Sequence, residues 1–470
     1  MACPRTTRAF TRCLCAAALG AALTVGVLTA TARADASGAV ELLPNKPAPK
    51  PNYWLPALEI VALNLSMNRT ARLYGGDFAK ISLGSMWRNV RGKWEWDRDR
   101  FTVNQFRHPY MGAAFYTSAR SSGVGFWGSA GYAFMGSLMW EALMETDRPS
   151  INDQIVTPLG GVILGEAKHR FSRALLWRSA SWWRRGLAAL VNPVAAFNRY
   201  VLGRKSHGAR PPPHFASVGA GYNAVGEQQV AAGSSRSRLF NQLHLALALS
   251  YGLPGDAQFV PRRPMDHMDL VAELDISEGE AVGTLFVRGL LAGKRYRHGR
   301  VRGLWGVYTS YDFFNPDRYR VGALSVGVGS SLQVRLGSKG FLQGTTVYSA
   351  VPFGAAGTID DPERNYHWGP GLSQLHEVRI GRADTGMLKL TTRGYAIAGS
   401  VFDEGSEVIS HTTMTGLLRV WKRHAIGAEV VGSIRRARFD DANANLTDTG
   451  GQLRVFYAFT SDTKFGSAAR

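Results

Sequence analysis

The stretch HAIGAEVVGSIRR, residues 424–436, alternates between two kinds of residue with a period of two. Apolar residues follow one face and small or charged residues the other: Ile426, Ala428, Val430 and Ile434 oppose Gly427, Glu429, Ser433 and Arg435. Successive side chains of a β-strand point to opposite sides of the backbone, so this period is that of a strand. The stretch therefore predicts a strand with one apolar and one polar face.

The same alternation recurs through the second half of the chain. Twelve segments show it: 214–223, 240–252, 265–276, 281–293, 303–313, 319–335, 339–350, 372–381, 385–398, 406–422, 424–436 and 450–460. Strands of soluble proteins are usually about five or six residues long, whereas a tilted strand that crosses a bilayer needs about nine to eleven. The length of these segments favours strands that span a membrane.

Twelve long strands in succession would leave open edges unless the sheet closes on itself, and in lipid closure is obligatory. The even number is typical of outer-membrane barrels. Aromatic residues near the strand ends indicate interfacial girdles: Trp305, Tyr308, Tyr311, Phe313, Phe314, Tyr348, Trp421, Tyr457 and Phe459. We predict an α+β protein in which an N-terminal helical domain precedes an antiparallel transmembrane β-barrel of about 12 strands. A soluble barrel or sandwich is the alternative.

The chain begins with a predicted signal peptide, residues 1–34, in which three arginines precede an uncharged apolar run and a small-x-small cleavage site. All three cysteines lie in this segment, so the exported chain has no thiol for a disulfide or a thiolate metal site. The remaining predicted regions are, in chain order, a disordered linker (35–52), a helical domain (53–205), a Pro-rich linker (206–213), the barrel (214–460) and a tail (461–470).

Three helical regions are predicted in the helical domain. The first runs from Trp54 to Leu73, with Leu58, Ala62, Leu65 and Leu73 on one face. The second, from Trp127 to Met144, contains an uncharged stretch diluted by glycine and serine, which favours a buried helix packed through small residues over a membrane span. The third region covers about residues 159–190.

The third region mixes tryptophan with arginine, which is the composition of an element lying among lipid headgroups. The predicted lipid-interface residues are Arg170, Arg173, Trp177, Arg178, Trp182, Trp183, Arg184 and Arg185. A solvated basic face is the alternative. Removal of the four leader arginines from the 55 basic residues leaves 51 against 35 acidic ones, a formal charge of +16. For an exported chain, this charge predicts outer-membrane lipid or lipopolysaccharide as the partner, not nucleic acid. The oligomeric state is not indicated.

Titratable residues cluster between residues 104 and 169. The candidate site residues are His108, Glu141, Glu145, Asp153, Glu166 and His169. Glu141 and Glu145 lie one helical turn apart, where two carboxylates could separate their pKa values or bind a cation, and His108 could act as a base. The alternative is a structural network, because Ser150, Asn152 or Asp153 can cap a helix and Arg107 and Arg120 can neutralise buried carboxylates.

No cofactor is predicted. Gly123, Gly125 and Gly128 have the spacing of a dinucleotide fingerprint, but no strand precedes them and Phe126 and Trp127 would crowd a pyrophosphate.

A series of spaced residues across residues 53–205 closely resembles an uncharacterised bacterial family, the domain of unknown function 3943. The residues that carry the resemblance are Asn104, Phe106, His108-Pro109-Tyr110, Gly112, Ala119-Arg120-Ser121, Phe126-Trp127, Gly136-Ser137, Trp140-Glu141, Pro149-Ser150-Ile151-Asn152-Asp153, Gly160-Gly161, Gly165-Glu166, Asn192-Pro193 and Asn198-Arg199. The resemblance implies an exported envelope protein of Gram-negative bacteria, and it brings no activity and no catalytic residues with it.

Two functions follow as hypotheses. The first is a non-enzymatic outer-membrane barrel whose N-terminal helices plug or brace it, with passive transport as a variant that depends on the width of the lumen. The second is a lipid-acting hydrolase or acyl-modifying enzyme of the envelope, which could also be periplasmic, with His108 as base and Glu141, Glu145 or Asp153 orienting it. This second hypothesis requires His108 to lie within hydrogen-bond reach of a carboxylate and to open onto a cleft.

Overall fold

The computed structural model describes residues 50–177, 180–204, 213–231, 234–277, 280–315, 319–357, 366–402, 404–439 and 445–467. The predicted signal peptide, the first part of the linker, most of the Pro-rich linker and Arg178 lie outside these residues. The described chain divides into two compact units, with the boundary between Pro212 and Pro213. We call residues 50–204 the helical unit and residues 213–467 the barrel unit.

The helical unit contains seven α-helices within its described residues. They are α1 (Trp54–Leu73), α2 (Leu83–Arg91), α3 (His108–Ser121), α4 (Phe126–Leu143), α5 (Ile151–Leu175), α6 (Trp182–Val191) and α7 (Pro193–Tyr200). A 3₁₀ turn at Asp77–Ala79 follows α1, and a π turn at Val103–Arg107 leads into α3. None of the helices in the described part of the chain has both the length and the apolar character that a membrane span requires.

Side-chain caps set several of these helix boundaries. Ser150 accepts a hydrogen bond from the Asp153 backbone N–H at 3.2 Å and so begins α5 at Ile151. Asn192 caps α7, and Pro193 follows it at the first helical position. The predicted third helical region is therefore wrong in extent: its helix begins eight residues earlier than expected, and the chain breaks between α5 and α6.

The barrel unit contains twelve strands within its described residues. They are β1 (Phe215–Ala231), β2 (Ser234–Tyr251), β3 (Met268–Ser277), β4 (Glu280–His298), β5 (Val301–Phe314), β6 (Val321–Leu336), β7 (Gly340–Gly357), β8 (Tyr366–Arg382), β9 (Gly386–Gly399), β10 (Gly405–Trp421), β11 (His424–Phe439) and β12 (Leu446–Thr460). Every strand pairs antiparallel with its neighbours in sequence, and β1 also pairs with β12, which closes the barrel. The predicted fold class and strand number are confirmed.

The two faces of the strands divide as the sequence predicts. Along β11, Ile426, Val430 and Ile434 are exposed on the outer surface, whereas Glu429 and Arg435 are buried in the lumen. The same alternation runs along β10, where Val408, Met414 and Leu418 are exposed. The barrel is therefore apolar outside and polar inside, the inverse of a soluble barrel.

Some of the predicted girdle aromatics do not lie on the outer surface. Trp305, Tyr348 and Trp421 are about half exposed, in accord with the prediction. Tyr308 and Phe314 instead point into the lumen, where Tyr308 donates a hydrogen bond to Ser331 and Phe314 packs on Tyr319. The presence of an aromatic residue near a strand end does not show which face of the strand it occupies. The position of each residue in the alternation along β5 decides this.

Helices α3 and α5 approach each other closely through glycine. A Cβ added at Gly112 would lie 1.8 Å from the Thr157 carbonyl oxygen, and one at Gly161 would lie 2.4 Å from the Gly112 carbonyl carbon. A Cβ at Gly165 would meet the ring of Tyr116 at 2.6 Å. Gly112, Gly161 and Gly165 thus allow α3 and α5 to lie in close contact.

Replacement of Gly112 by alanine should destabilise the helical unit. The new methyl group would press on the backbone of α5, and overpacking of this kind costs about 1–3 kcal/mol. Gly131 in α4 is the matched control, because a Cβ there meets nothing within 4 Å and alanine favours a helix over glycine by about 0.5–1 kcal/mol. Thermal unfolding followed by circular dichroism should show opposite shifts; equal shifts would contradict the close approach of α3 and α5.

Candidate functional site

The middle of the barrel lumen is crossed by an ion-pair network around Arg454 of β12. Arg454 donates to Glu429 on the adjacent strand at 2.7 Å and to Glu273 of β3 at 3.0 Å. It also reaches Asp275 of β3 at 3.3 Å, whose other oxygen lies 2.8 Å from Nδ1 of His244. Two strands, β1 and β2, separate β12 from β3 in the sheet. These pairs therefore span the lumen instead of following its wall.

A second network lies nearer the end of the barrel at which β12 begins, which we call the distal end. Arg435 of β11 is fully buried, donating to Glu407 of β10 at 2.8 Å and to Asp448 of β12 at 2.9 Å. It also donates to the carbonyl oxygen of Gly357 in β7, across the lumen. One guanidinium thus joins four strands and neutralises two buried carboxylates.

An aromatic and aliphatic cluster fills the rest of the distal end. Its buried members are Phe286, Phe314, Tyr319, Val321, Ala323, Val351, Ala356, Tyr395, Ile397 and Ile409. Tyr395 of β9 donates to Asp312 of β5 at 2.9 Å, again across the lumen. All ten side chains of this cluster are at least nine-tenths buried.

Two segments close the opposite, proximal end, where β1 begins and β12 ends. The first is the tail after β12: Phe465 is buried against Phe341, Leu417 and Ala425, and its carbonyl accepts from Arg379. The second is the loop between β2 and β3, residues 252–267. Its Met265 is fully buried, and its Phe259 packs against a cluster that contains Leu290 and Leu304. The tail therefore returns to the lumen.

Between these layers lies a cavity of about 150 Å³. Its lining includes Arg288, Lys389 and Arg393 together with Glu377 and Asp312. Arg288 is paired with Asp269, and Glu377 accepts from Thr391 at 3.4 Å. The lumen is thus crossed by ion pairs and carries buried apolar clusters at both ends, with a partly open cavity between them.

In the helical unit, Glu166 of α5 is the centre of a buried ion pair. Its two oxygens accept hydrogen bonds from Tyr116 and from Arg120 at 2.8 Å, and from Arg170 at 2.9 Å. Burial raises the pKa of Glu166, but the two guanidinium groups outweigh it and hold the pKa well below its usual range. Glu166 is an ionised structural carboxylate whose oxygens are occupied by donors.

A second polar cluster joins the start of α5 to the segment before α3. Asp97 accepts hydrogen bonds from Asn104 and Asn152, each at 2.8 Å, and shares a further one with Asp153. Burial raises the pKa of Asp97, but these hydrogen bonds outweigh it and lower the pKa. Burial, together with the charges of Asp97 and Glu141, raises the pKa of Asp153 well above its usual range. Asp153 is therefore the protonated partner and Asp97 the ionised one.

His108 lies beside this pair at the start of α3. Its Nε2 is 3.8 Å from Oδ2 of Asp153, which exceeds hydrogen-bond range. Burial lowers the pKa of His108 to about 4. The charge of Asp97 opposes this decrease, and the charge of Arg107 adds to it. The imidazole is neutral at physiological pH and is a weak base.

Glu141 and Glu145 form the other carboxyl pair of the cluster. Glu141 is buried and accepts a hydrogen bond from the Ser150 backbone N–H at 2.8 Å. Burial and the neighbouring Glu145 raise its pKa well above the usual range. Burial also raises the pKa of Glu145 to about 8, aided by Asp153 and opposed in part by the hydrogen bond from Glu141. Glu141, Glu145 and Asp153 thus hold protons that unfolding would release, whereas Asp97 is ionised in the folded state.

The stability of the folded protein should depend on pH through the proton on Glu145. Because its folded pKa is about 8 and its ordinary value is 4.5, the folded state holds a proton that the unfolded state lacks between these values. The contribution of Glu145 to stability should therefore fall as pH rises from about 4.5 to about 8. Glu145→Gln removes this titration, so the melting temperature of the wild type should decline relative to the variant across that range.

The comparison of the two proteins isolates this effect. His108 and Lys168, whose pKa values burial lowers to about 4 and about 7, titrate in both proteins and cancel in the difference. A difference in melting temperature that stays constant with pH would contradict a protonated Glu145.

The residues of this cluster share protons through hydrogen bonds and support the cap of α5. Asp97 bridges two asparagines, and Glu141 holds the backbone of the residue that caps α5. Among the residues that the structure describes, no group of three or more His, Cys, Asp and Glu side chains is placed to hold a metal ion. His169 is buried on α5 and lines a small cavity of about 30 Å³ that also contacts Arg199 and Tyr200, away from His108.

The predicted lipid-interface residues have different environments. Arg170 is buried and paired with Glu166, so its charge is not on a surface. Arg184 donates to the carbonyls of Ala174 and Trp177 at the end of α5, as a cap. Trp182 is 84% exposed, and Arg185 is exposed beside it. Arg173, Trp177 and Trp183 are half-buried, and Arg178 lies outside the described residues.

Sequence reasoning missed Asp97 and the lumenal ion pairs as sites. Asp97 lies in a segment without helical periodicity, between charged neighbours that are exposed. Arg435, Arg454 and Glu429 were assigned to polar strand faces, which was their only local signal. Charged residues alternate with apolar ones along adjacent strands, and this pattern could have indicated that charges meet inside the barrel. It could not have identified the partners of Arg454 on β3, because they are far from Arg454 in sequence.

The closed antiparallel barrel, apolar outside and charged inside, defines the class of the protein: it resembles the barrels of outer-membrane proteins. Residues 93–194 match the model of the family described as "Domain of unknown function (DUF3943)". The resemblance expected from the sequence is confirmed there, over a shorter range than 53–205. No curated protein matches this sequence.

Solved structures similar to the chain are barrels. The NanC porin is 8% identical, with 50% of this chain and 98% of that chain covered and a TM-score of 0.26. The translocator domain of the autotransporter NalP from Neisseria meningitidis is 11% identical, with 56% and 92% covered and a TM-score of 0.24. The Pseudomonas putida toluene transporter TodX is 8% identical, with 53% and 90% covered and a TM-score of 0.21. The strand pairing of this chain, not these likenesses, carries its assignment as a closed barrel.

Proposed function

We propose that this protein is an outer-membrane barrel with an occluded lumen. The barrel anchors the helical unit in the cell envelope, and the helical unit braces the barrel. The observation that carries the proposal is the division of the strand faces. Side chains such as Val408, Val430 and Val455 are about half exposed on the outer wall, whereas Glu407, Arg435 and Arg454 are buried inside. Such a wall is stable in hydrocarbon and unfavourable in water.

Backbone hydrogen bonding supports the same location. Hydrocarbon offers no partner to an unpaired N–H or C=O, so only closed sheets and helices persist in it. Here β1 pairs with β12, so each of the twelve described strands has a strand partner on both sides. The predicted partner, outer-membrane lipid or lipopolysaccharide, would then surround the wall.

The filled lumen favours a bracing role over plugging or passive transport. Three layers block it: the distal cluster, the Arg435 and Arg454 networks, and the tail with the 252–267 loop. A helical plug would have no space to occupy, and a solute would have to displace several buried ion pairs. The hydrolase hypothesis has less support, because His108 is a weak base and does not reach Asp153 by a hydrogen bond.

Cell fractionation tests the location. We expect the chain in the outer-membrane fraction, and we expect unheated samples to migrate faster on gels than boiled ones because the closed barrel resists detergent. A periplasmic, water-soluble protein with unchanged mobility would end the proposal.

Planar-bilayer recording tests the occlusion. The purified chain should insert without producing steady single-channel currents, because buried charges and aromatics fill the lumen. Stable channels in the wild type would contradict an occluded barrel and would restore the transport variant.

A further inference from the structure

Helix α1 turns two asparagines as well as Pro56 and Ile60 toward the helical unit, and most of its leucines outward. Asn64 donates to the carbonyl of Gly136 at 3.3 Å, and Asn68 donates to those of Ala79 and Met144. Both asparagines are buried, whereas Leu58 is 67% exposed and Leu65 is 48% exposed. The predicted apolar face of this helix therefore does not point to the core. This is the reverse of a surface helix in a water-soluble protein.

Helix α2 shows the same reversal. Its buried residues are Ser85 and Asn89, and Asn89 donates to the carbonyls of Glu145 and Asp147. Leu83, Trp87 and Val90 recur at intervals of four and three, so they form one stripe, and it points outward. The stripe has no protein cover within the described residues.

Helix α4 is the third member. Its inward side is made of small and polar residues, among them Ser129, Ala133 and Gly136. Trp127, Phe134 and Leu138 lie exposed on one outward stripe, and no charged residue occurs between Gly123 and Trp140. The prediction of a buried helix is correct for the small residues of α4 and wrong for this stripe.

The three stripes belong to neighbouring helices. The hydrogen bond from Asn64 to Gly136 joins α1 to α4, and that from Asn89 to Glu145 joins α2 to the residues that follow α4. We call the outward stripes of α1, α2 and α4 together the apolar face. Exposed apolar surface of this extent marks an interaction site, because water does not favour it.

The charge and aromatic content of the unit identify the partner. Residues 50–204 contain 20 basic and 10 acidic residues, which favours an anionic surface and opposes pairing with a second copy. Arg88 and Arg91 flank the stripe of α2, and the Arg91 guanidinium lies 3.7 Å from the ring centroid of Trp87. Tryptophan with adjacent arginine is the chemistry of the boundary between lipid headgroups and acyl chains.

We propose that the apolar face of the helical unit lies in the interface of a phospholipid bilayer with anionic headgroups, with the tryptophans at the headgroup boundary and the arginines on phosphates. This contact surface differs from the predicted lipid element around residues 170–185. It is a property of the helical unit, so it stands or falls separately from the proposal for the barrel.

Site-specific labelling of the full chain tests this contact. No cysteine follows Cys15, so single cysteines at Leu58, Val90 and Leu138 can carry an environment-sensitive fluorophore after export. In vesicles of phosphatidylcholine and phosphatidylglycerol containing spin-labelled lipid, we expect all three positions to be quenched. Thr70→Cys is the matched control, since Thr70 is exposed on the flank of α1, about 120° around the helix from Leu58, and we expect its quenching to be at least about two-fold weaker.

Each alternative outcome has a distinct meaning. Labels that are shielded from water but not quenched would show that protein covers the face, from a second copy or from elsewhere in the chain, and would overturn the proposal. Water-like labels would overturn it as well. Quenching that persists unchanged in pure phosphatidylcholine would overturn the anionic assignment. Val430→Cys on the barrel wall reports separately on the barrel, because loss of its quenching alone contradicts only the outer-membrane proposal.

Discussion

Replacement of Arg435 by methionine should destabilise the barrel by about 3–5 kcal/mol, because it removes the cation that two buried carboxylates share. Arg435 is fully buried, and its guanidinium pairs with Glu407 and Asp448 while also donating to Gly357 across the lumen. Methionine keeps the approximate length of the side chain but supplies no donor. We expect the folded band on unheated gels to convert to the unfolded one at a clearly lower temperature.

The neighbouring arginine provides the control. Arg436 is on the same strand but is exposed on the outer face, so Arg436→Met should change stability by less than about 0.5 kcal/mol. Adding Glu407→Gln and Asp448→Asn to Arg435→Met should recover part of the loss, because it removes the unpaired charges. Equal behaviour of the two arginine variants would mean that water reaches the Arg435 network and that the lumen is not occluded.

Glu166→Gln should have a comparable effect on the helical unit. The amide keeps the shape of the carboxylate but removes the negative charge that Arg120 and Arg170 share, and breaking a buried ion pair in this way costs about 3–5 kcal/mol. The hydrogen bond from Tyr116 would remain available to the amide oxygen. Loss of the helical circular dichroism signal on heating should occur at a lower temperature than in the wild type.

The pair between Glu95 and Arg148 provides the matched control, since both side chains are about half exposed. Glu95→Gln should cost less than about 1 kcal/mol, as is usual for pairs in contact with water. The same variants also test bracing. If the helical unit supports the barrel, Glu166→Gln should lower the temperature at which the barrel band converts, and Glu95→Gln should not. An unchanged barrel transition in Glu166→Gln would contradict the bracing role.

The sequence predicted the strands well because the strand period is local. Residues 424–436 assign Ile426 and Val430 to one face and Glu429 and Arg435 to the other without any knowledge of the partner strands. The helix from Trp54 to Leu73 was predicted to the residue for the same reason. The sequence did not predict which side of this helix faces the core. Apolar residues usually turn inward, but here Asn64 and Asn68 are buried and donate hydrogen bonds to backbone carbonyls of other segments.

The sequence predicted most residues of the candidate site but not which of them contact one another. His108, Glu141, Glu145 and Asp153 do gather near the start of α5, together with Asp97, which no pattern indicated. Glu166 was grouped with them from its position in the chain. The structure assigns it instead to a separate ion pair, since Arg120 and Arg170 reach it from two helices.

The sequence predicted a long-stranded barrel, because a period of two over ten or more residues gives each strand one apolar and one polar face. Closure of the ring, and the meeting of charges inside it, were decided by the tertiary structure. Arg454 meets Glu273 and Arg435 meets Gly357 only when strands distant in sequence face each other across the ring. Alternation fixes which side of a strand a charge occupies, but only closure of the barrel determines which charge lies opposite it.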